Sequence, residues 1–358
     1  MGVPRRVNCL EGQYICRGTS TSFVLTQPFP VSSSILSATA LARYLYEQYP
    51  FDQPPEGRLL RSGINDTYLI LAGQTRFVFR VYSLGWRTLT EIREEIRLLL
   101  RLREEGLPVS YPIPDRRSSL IHHLPAPEGE RYGVLFSFAE GKKLHNYPAE
   151  VHHTVGQWMA RMHQITEGLS LERCWYTPEL LLVHSLEQVG QFLPADTEEM
   201  QYLRALQAQL LPLLSGLDTA GLRTGVIHLD IWFDNLNVAP DQSVTLFDFD
   251  FCGNGWLALD LAYYMLQLYQ TEREEPACSE KLAAFFSGYE SICPIRSEER
   301  DLLPALGLCL YFFYLGIQCQ RFDNWSNSFL SESYLKRFVQ ALVKRYAGIH
   351  GIEAAAEE

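Results

Sequence analysis

The sequence predicts an α+β chain of two lobes: a β-rich N-terminal lobe and a mainly helical C-terminal lobe with a β-hairpin catalytic core. Three observations support this fold class. Short apolar runs separated by turn residues fill the stretch from 58 to 138. Helical spacing of apolar residues dominates from 151 onward, and short β-like runs interrupt it between 225 and 248. The length of 358 residues is enough for about two domains of ordinary size.

The N-terminal lobe is predicted to span residues 31–138 and to follow an irregular leader over residues 1–30. A first helix is expected over Ser34–Tyr49, with the three serines at 32–34 as its cap. Gly73-Gln74 suits the turn of a hairpin, and Gly106 suits the end of a second helix. The remaining predicted elements of this lobe are the strands Arg58–Arg61, Thr67–Ala72, Arg76–Tyr82, Leu120–His123 and Tyr132–Phe138 and the helix Thr90–Glu105.

The C-terminal lobe is predicted over residues 139–350, before a frayed acidic tail at 351–358. Helices are expected at 151–165, at 198–214 and from 259 onward. The apolar stretch Leu302–Ile317 contains Pro304 and is shorter than a membrane span, so it is interpreted as a buried helix. The predicted short β segments of this lobe are Gly225–His228, Leu236–Ala239 and Val244–Asp248.

Composition narrows the class of protein. The formal net charge of −11 disfavours nucleic-acid binding, since an acidic surface repels phosphates. The same charge suits a cationic small molecule, although solubility alone explains it equally well. The eight cysteines form no C-x-x-C pair and no zinc spacing, which is typical of reduced core cysteines. With no signal-peptide pattern and no predicted membrane segment, we expect a cytoplasmic protein. The sequence leaves its oligomeric state open.

One cluster carries the chemistry, and it has the spacing H-x-D-x-x-x-x-N followed by D-F-D after an apolar run. Phosphoryl transfer to an alcohol needs a carboxylate that orients the hydroxyl and takes its proton. It also needs oxygen ligands for a Mg²⁺ ion that bridges the phosphates of ATP. Asp230 is therefore the predicted catalytic base, and Asn235 and Asp248 are the predicted metal ligands. The turn at 239–242 returns the chain so that Asp248 can lie beside Asn235.

The segments HLDIWFDN and LFDFDFCGNGWLALDLA resemble the signatures of the aminoglycoside phosphotransferase and choline kinase superfamily, which shares the protein-kinase fold. The resemblance extends over most of the chain and implies ATP binding between the lobes. It also implies supporting roles for three residues near the base. His228 would fix the catalytic loop, and Asp250 and Asp260 would stabilise it from within the C-terminal lobe. His163 is interpreted as a packing residue.

The N-terminal lobe carries a weaker pattern in the matching order. Asn65 lies in a turn at the place of the family's nucleotide-covering loop, although the turn contains a single glycine, Gly63. Arg80 stands where kinases have a phosphate-binding lysine, and an arginine keeps the charge and adds a bidentate fork. The resemblance implies that Glu95 pairs with Arg80, with Glu94 and Glu91 as open alternatives. Phe136 and Phe138 fall in the predicted hinge, which would bind adenine.

The predicted function is a small-molecule kinase that acts on a hydroxyl of an amino alcohol, amino acid, sugar or aminoglycoside. The catalytic loop is also similar to that of bacterial homoserine kinases of the superfamily. A protein Ser/Thr kinase of the bacterial stress-response type is an alternative, but the interval between Asp248 and Asp260 leaves no room for a long activation segment. A second alternative is an inactive nucleotide-binding scaffold, since the usual lysine and glycine-rich loop are lacking.

Overall fold

The computed structural model describes residues 29–144, 146–323 and 328–352. Most of the predicted leader and the end of the predicted tail therefore lie outside the described residues. Within them, the two-lobed α+β fold is confirmed. The N-terminal lobe is built on an antiparallel five-stranded sheet in the order β1-β2-β3-β5-β4. Its elements are α1 Ala38–Gln48, β1 Glu56–Ser62, β2 Asp66–Ala72, β3 Thr75–Val81, α2 Leu89–Glu104, β4 His122–Ala126 and β5 Gly129–Ser137.

Helix α1 begins later than the sequence pattern predicts. Its cap is Ser37, whose side chain accepts a hydrogen bond from the Ala40 amide. The predicted cap region fails because Ser34 makes another contact: its hydroxyl donates to the Glu128 carboxylate at 2.7 Å. The apolar side of α1 covers one face of the sheet. This first core consists of Leu41, Leu45, Tyr49, Tyr68, Ile70, Phe79, Val81, Leu124 and Leu135.

The strands follow the predicted pattern, and their observed ends differ from the predicted ones by up to three residues. Gly73, at φ +62°, forms the two-residue turn between β2 and β3, as its freedom at positive φ allows. Strand β4 begins at His122 rather than Leu120 and runs through Pro125. A proline is tolerated there because β4 is an edge strand, paired only with β5.

Helix α2 covers the opposite face of the sheet. Thr88 and Glu91 form a reciprocal capping box at its start, and Gly106, at φ +77°, follows its last turn. Its buried residues belong to the same continuous apolar cluster as the C-terminal lobe. The segment after α2 also joins that lobe directly, since the Ser110 amide donates to the Leu246 carbonyl at 2.9 Å. The two lobes therefore share this second core, while the first core belongs to the N-terminal lobe alone.

The C-terminal lobe is mainly helical. Two of its helices, α3 (Ala149–Thr166) and α7 (Glu275–Glu290), cross at a pair of glycines, Gly156 and Gly288. A Cβ on either would lie about 2 Å from a backbone oxygen of the other helix, so only glycine permits this contact. The α-helices of this lobe are α3 Ala149–Thr166, α4 Ser185–Val189, α5 Glu198–Ser215, α6 Ala258–Thr271, α7 Glu275–Glu290, α8 Ser297–Gln320, α9 Glu332–Phe338 and α10 Lys344–Ile349.

Four short strands, β6 Thr224–Ile227, β7 Leu236–Val238, β8 Val244–Leu246 and β9 Gly253–Trp256, form two antiparallel pairs, β6 with β9 and β7 with β8. The predicted strand Val244–Asp248 ends at Leu246, because Asp248 has a φ of +67°. Strand β9 was not predicted, since its glycines and asparagine are poor strand formers. The turns that lead into α4, Glu179–His184, were also missed.

Among the described residues, α8 is one helix whose length and apolar composition would suffice to cross a membrane. About three quarters of its most apolar stretch, 72%, is buried inside the protein. The predicted interpretation of Leu302–Ile317 as a core helix agrees with that burial. Pro304 lies inside α8, beyond its first turn, where a proline cannot donate the usual hydrogen bond to the carbonyl of Arg300 and tends to kink the helix.

Candidate active site

The catalytic loop runs from His228 to Asn235, between β6 and β7, and one aspartate holds its start. The Asp260 carboxylate, on α6, accepts hydrogen bonds from the amides of His228 at 2.9 Å and Leu229 at 2.6 Å. Leu229 has a φ of +61°, which is unfavourable for leucine and needs such compensation. Nε2 of His163 contacts the same Asp260 oxygen as the His228 amide, at 3.1 Å, and His163 is completely buried. His163 therefore supports the loop by hydrogen bonding, beyond the packing that was expected.

Asp230 is bound on both carboxylate oxygens by neutral donors. Tyr263 donates its hydroxyl at 2.6 Å, and Asn235 donates its side-chain amide at 2.7 Å. The backbone amide of Asp230 donates to Nδ1 of His228 at 3.1 Å. Burial raises the pKa of Asp230 well above its ordinary value, and the nearby Asp248 charge adds to this, against the effect of the two hydrogen bonds. Such a carboxylate is fixed in direction and more basic than a free one.

Asn235 and Asp248 reach the same place through the β7–β8 hairpin. Leu236 faces Leu246 in its register, and the Phe247 amide donates to the Asn235 carbonyl at 3.1 Å. Asp230, Asn235 and Asp248 all line one small cavity of about 120 Å³, here called the catalytic cavity. Because the Asn235 amide nitrogen is used on Asp230, its Oδ1 is the atom suited to a cation.

An inner charge cluster, made of Arg80, Glu95 and Asp248, crosses the cleft. Arg80 donates to Glu95 at 2.9 Å and to Asp248 at 2.8 Å. Glu95 also accepts from the Tyr82 hydroxyl at 3.0 Å and lies 3.7 Å from Arg173. Its side chain is 1% exposed, so Glu95 positions Arg80 rather than presenting a carboxylate to a ligand.

The two alternative partners for Arg80, Glu91 and Glu94, make other contacts on α2. Glu91 belongs to the capping box with Thr88, and Glu94 pairs with Arg97 at 2.6 Å. Burial raises the pKa of Glu95, while the Arg80 and Arg173 guanidiniums act against that rise. The contact with Arg80 thus keeps a buried carboxylate paired, as its position requires.

Asp250 forms a second buried contact between the lobes. It accepts from the Trp86 indole at 2.7 Å and from the Asn65 amide at 3.1 Å. The Arg87 guanidinium donates to its backbone carbonyl at 2.6 Å, and Arg173 donates to the same carbonyl. Although burial opposes it, the charges of Arg87, Arg80 and Arg173 hold the pKa of Asp250 below its ordinary range.

The predicted nucleotide contact of Asn65 stays a prediction, and its side chain also has partners within the protein. Its amide nitrogen donates to Asp250, and its Oδ1 accepts from the Ser83 amide at 3.2 Å. Both ends of the side chain are used to shape the loop that lines the catalytic cavity. Trp86, Arg87 and Arg173 were missed by sequence reasoning, because nothing in their local spacing reveals partners so distant along the chain.

An outer charge cluster consists of Arg61, Asp234 and Lys143. Asp234, in the catalytic loop, accepts from Arg61 at 2.9 Å and from Lys143 at 2.7 Å. Arg61 comes from β1 of the N-terminal lobe, and Lys143 follows the hinge. The cluster is therefore a third link between the two lobes, at the solvent side of the cleft. None of these contacts was expected from the sequence.

A larger cavity of about 410 Å³, here called the interlobe cavity, lies between the sheet and the catalytic hairpin. Phe136 and Phe138 from the predicted hinge line it, with Val78 and Leu99 on the N-terminal side and Phe249 on the other. Arg61, Arg80, Asn235 and Asp248 border both cavities. A flat apolar group can thus occupy the larger cavity while a polar extension reaches Asp230.

Comparisons with known proteins agree with this architecture. The sequence model of the phosphotransferase enzyme family matches residues 56–295. An uncharacterised protein of Deinococcus radiodurans is 30% identical over 322 residues, which cover 89% of this chain and 93% of that protein. A homoserine kinase of Rhizobium etli is 31% identical over 254 residues, 70% of this chain and 75% of the kinase.

Among solved structures, a microcompartment-associated aminopropanol kinase has a similar fold, with a TM-score of 0.73 at 22% identity. The match covers 88% of this chain and 99% of the kinase. At this identity the likeness concerns the fold alone. It includes both lobes, so the cleft between them is part of the shared architecture.

Proposed function

The chain belongs to the phosphotransferase enzyme family, and on that basis we propose that it is an ATP- and Mg²⁺-dependent kinase of a small, amine-bearing molecule with a hydroxyl group. The observation that carries the proposal is the convergence of Asp230, Asn235 and Asp248 on one cavity at the end of the interlobe cavity. A carboxylate base and two oxygen ligands at the phosphate end of a nucleotide site are the parts that phosphoryl transfer to an alcohol needs.

In the proposed reaction Asp230 orients the acceptor hydroxyl and takes its proton as the oxygen bonds to the γ-phosphorus. The bond from that phosphorus to the bridging oxygen of ADP breaks, and the product is a phosphate monoester. Tyr263 and Asn235 keep the Asp230 carboxylate in one direction throughout. Fixing a base in this way lowers the reorganisation that the reaction requires.

The residues present fit a magnesium ion. Asn235 Oδ1 and the Asp248 carboxylate are hard oxygen donors, and Mg²⁺ is commonly held by one or two such groups together with phosphates and water. When bound, the ion neutralises charge on the transferring phosphoryl group. Arg80 donates to Oδ1 of Asp248 at 2.8 Å and thereby fixes the direction of that carboxylate. In the proposal, Phe136 and Phe138 cover the adenine ring within the interlobe cavity.

Two observations support an amine on the acceptor. The homoserine kinase that this chain resembles is named after a hydroxyl compound that also bears an amine. Two aromatic side chains, Trp232 and Phe251, also line the catalytic cavity together with Asp230. Ring faces attract ammonium groups, which suits such a substrate.

A cytoplasmic location stays a prediction.

The test is ADP release from Mg²⁺–ATP with a panel of acceptors: homoserine, aminopropanol, choline, hexosamines, aminoglycosides and a generic protein. We expect turnover with one amine-bearing alcohol and its loss in Asp230→Asn. Asp301→Asn, an exposed carboxylate on α8, is the matched control and retains full activity. If the generic protein were phosphorylated and the small molecules were not, the acceptor would be a peptide rather than a small molecule. A chain that binds no nucleotide would overturn the proposal as a whole.

A further inference from the structure

The outer charge cluster has one acid between two cations, and only one of those cations borders the catalytic cavity. Arg61 lines both cavities, whereas Asp234 and Lys143 line the interlobe cavity alone. We propose that Arg61 leaves Asp234 when nucleotide binds and donates to its phosphate chain, while Lys143 keeps Asp234 neutralised. This inference rests on the proposed ATP-dependent function and adds a phosphate-binding residue that lies outside the catalytic motifs.

A triphosphate in the cleft needs cationic partners, and the cationic side chains described there argue for Arg61 as a phosphate-binding residue. Among the described residues, Arg61, Arg80 and Lys143 are the cationic side chains that line the two cavities. The Arg80 guanidinium is already bound to Glu95 and Asp248 through its two terminal nitrogens, and it is almost fully buried. The turn at Gly63 contains a single glycine, so it offers no glycine-rich cradle of backbone amides. A triphosphate therefore needs a further cation.

The position of Arg61 allows it to change partners. Its side chain is 66% exposed, and an ion pair at such a site contributes little stability. The pairing of β1 with β2 shifts register between Leu59 and Arg61, so the end of this strand is irregular. Asp234 does not become an unpaired charge when Arg61 leaves, because Lys143 stays within 2.7 Å of its other oxygen.

The experiment compares binding of ATP and of adenosine by titration calorimetry in Arg61→Gln, Arg61→Lys, Asp234→Asn and the unaltered chain. Arg61→Gln should weaken ATP binding about tenfold, the effect of losing a charged hydrogen bond, and leave adenosine binding unchanged. Arg61→Lys should keep most of the ATP affinity. Asp234→Asn removes the competing anion, so its ATP affinity should stay equal or rise about threefold, since one exposed charge is worth little.

The matched control is Arg58→Gln. Arg58 lies on the same strand, is similarly exposed, and pairs with Glu56 away from both cavities. It should bind ATP and adenosine like the unaltered chain. The inference is wrong if Asp234→Asn weakens ATP binding as much as Arg61→Gln does, or if the affinity for adenosine falls along with that for ATP. Either result would mean that the Arg61–Asp234 ion pair only holds the cleft closed. If the unaltered chain binds ATP and Arg61→Gln binds it equally well, the inference fails while the proposed function stands. No ATP binding by the unaltered chain would remove both.

Discussion

The inner and outer charge clusters join the same two lobes across the same cleft, yet their surroundings differ. In the inner cluster one cation, Arg80, lies between two acids, and its side chain is 10% exposed. In the outer cluster one acid, Asp234, lies between two cations, Arg61 and Lys143, which are 66% and 45% exposed. Removing a partner from the first leaves a buried charge unpaired, whereas water compensates in the second. The inner cluster thus fixes geometry, and the outer cluster can exchange partners.

Asp230 belongs to neither charge cluster, because the partners described for its carboxylate are the neutral donors Tyr263 and Asn235. Asp230→Asn should lower kcat by about a thousandfold, the contribution expected of a general base. The affinity for ATP should remain, since neither cluster is altered. Steady-state kinetics and calorimetry on the same preparation measure both quantities. A variant that kept the activity of the unaltered chain would show that Asp230 is not the base.

The matched pair Glu95→Gln and Asp234→Asn compares the clusters directly, because each change turns a carboxylate into an amide. Glu95→Gln should lower the free energy of unfolding by about 3 kcal/mol, since Arg80 and Arg173 lose a buried counter-charge. Asp234→Asn should change it by less than about 1 kcal/mol. Urea unfolding followed by fluorescence gives both values. Equal losses would mean that the two clusters do not differ in the way proposed.

The pH dependence of stability gives a smaller signal from the same cleft. Burial, followed by the Asp248 charge, raises the pKa of Asp230 in the folded chain. Above the unfolded value of about 3.9, the folded state then binds more protons than the unfolded state, so stability falls as pH rises. Asp230→Asn lacks this fall. Its stability relative to the unaltered chain should therefore increase as the pH rises above about 4, whereas a difference that stayed constant over the whole range would contradict the raised pKa.

The smallest expected effect is that of salt, which should weaken the outer charge cluster more than the inner one. Exposed ion pairs are screened within about 3 Å at 1 M salt, and buried pairs much less. The stability change in Asp234→Asn should thus disappear between 0.1 and 1 M sodium chloride, while that in Glu95→Gln persists. Thermal unfolding at the two salt concentrations measures the change, with Arg58→Gln as an exposed reference. A salt-sensitive Glu95→Gln would indicate that water reaches the inner cluster.

The sequence predicted best what depends on local spacing. The H-x-D-x-x-x-x-N motif and the following turn predict that Asp230, Asn235 and Asp248 share a cleft, and the three line one cavity. Most helices and strands were placed within a few residues, because apolar periodicity determines them. The contacts of Asp250 with Trp86 and Arg173, and of Asp234 with Arg61, join residues far apart in the chain. No periodicity records such contacts, so they appear only once the lobes are in place.

The packing of helix α2 indicates that the two lobes are distinct in shape but do not fold independently of each other. Its residues Ile92, Leu99 and Leu102 are buried in the apolar cluster that continues into the C-terminal lobe. A fragment ending at residue 138 would expose to water the part of this cluster that packs on the C-terminal lobe, and it would be expected to aggregate. The chain should therefore unfold in a single cooperative transition, with no separate melting of its N-terminal part. Any widening of the cleft has to come from sliding within a shared interior, which limits its amplitude.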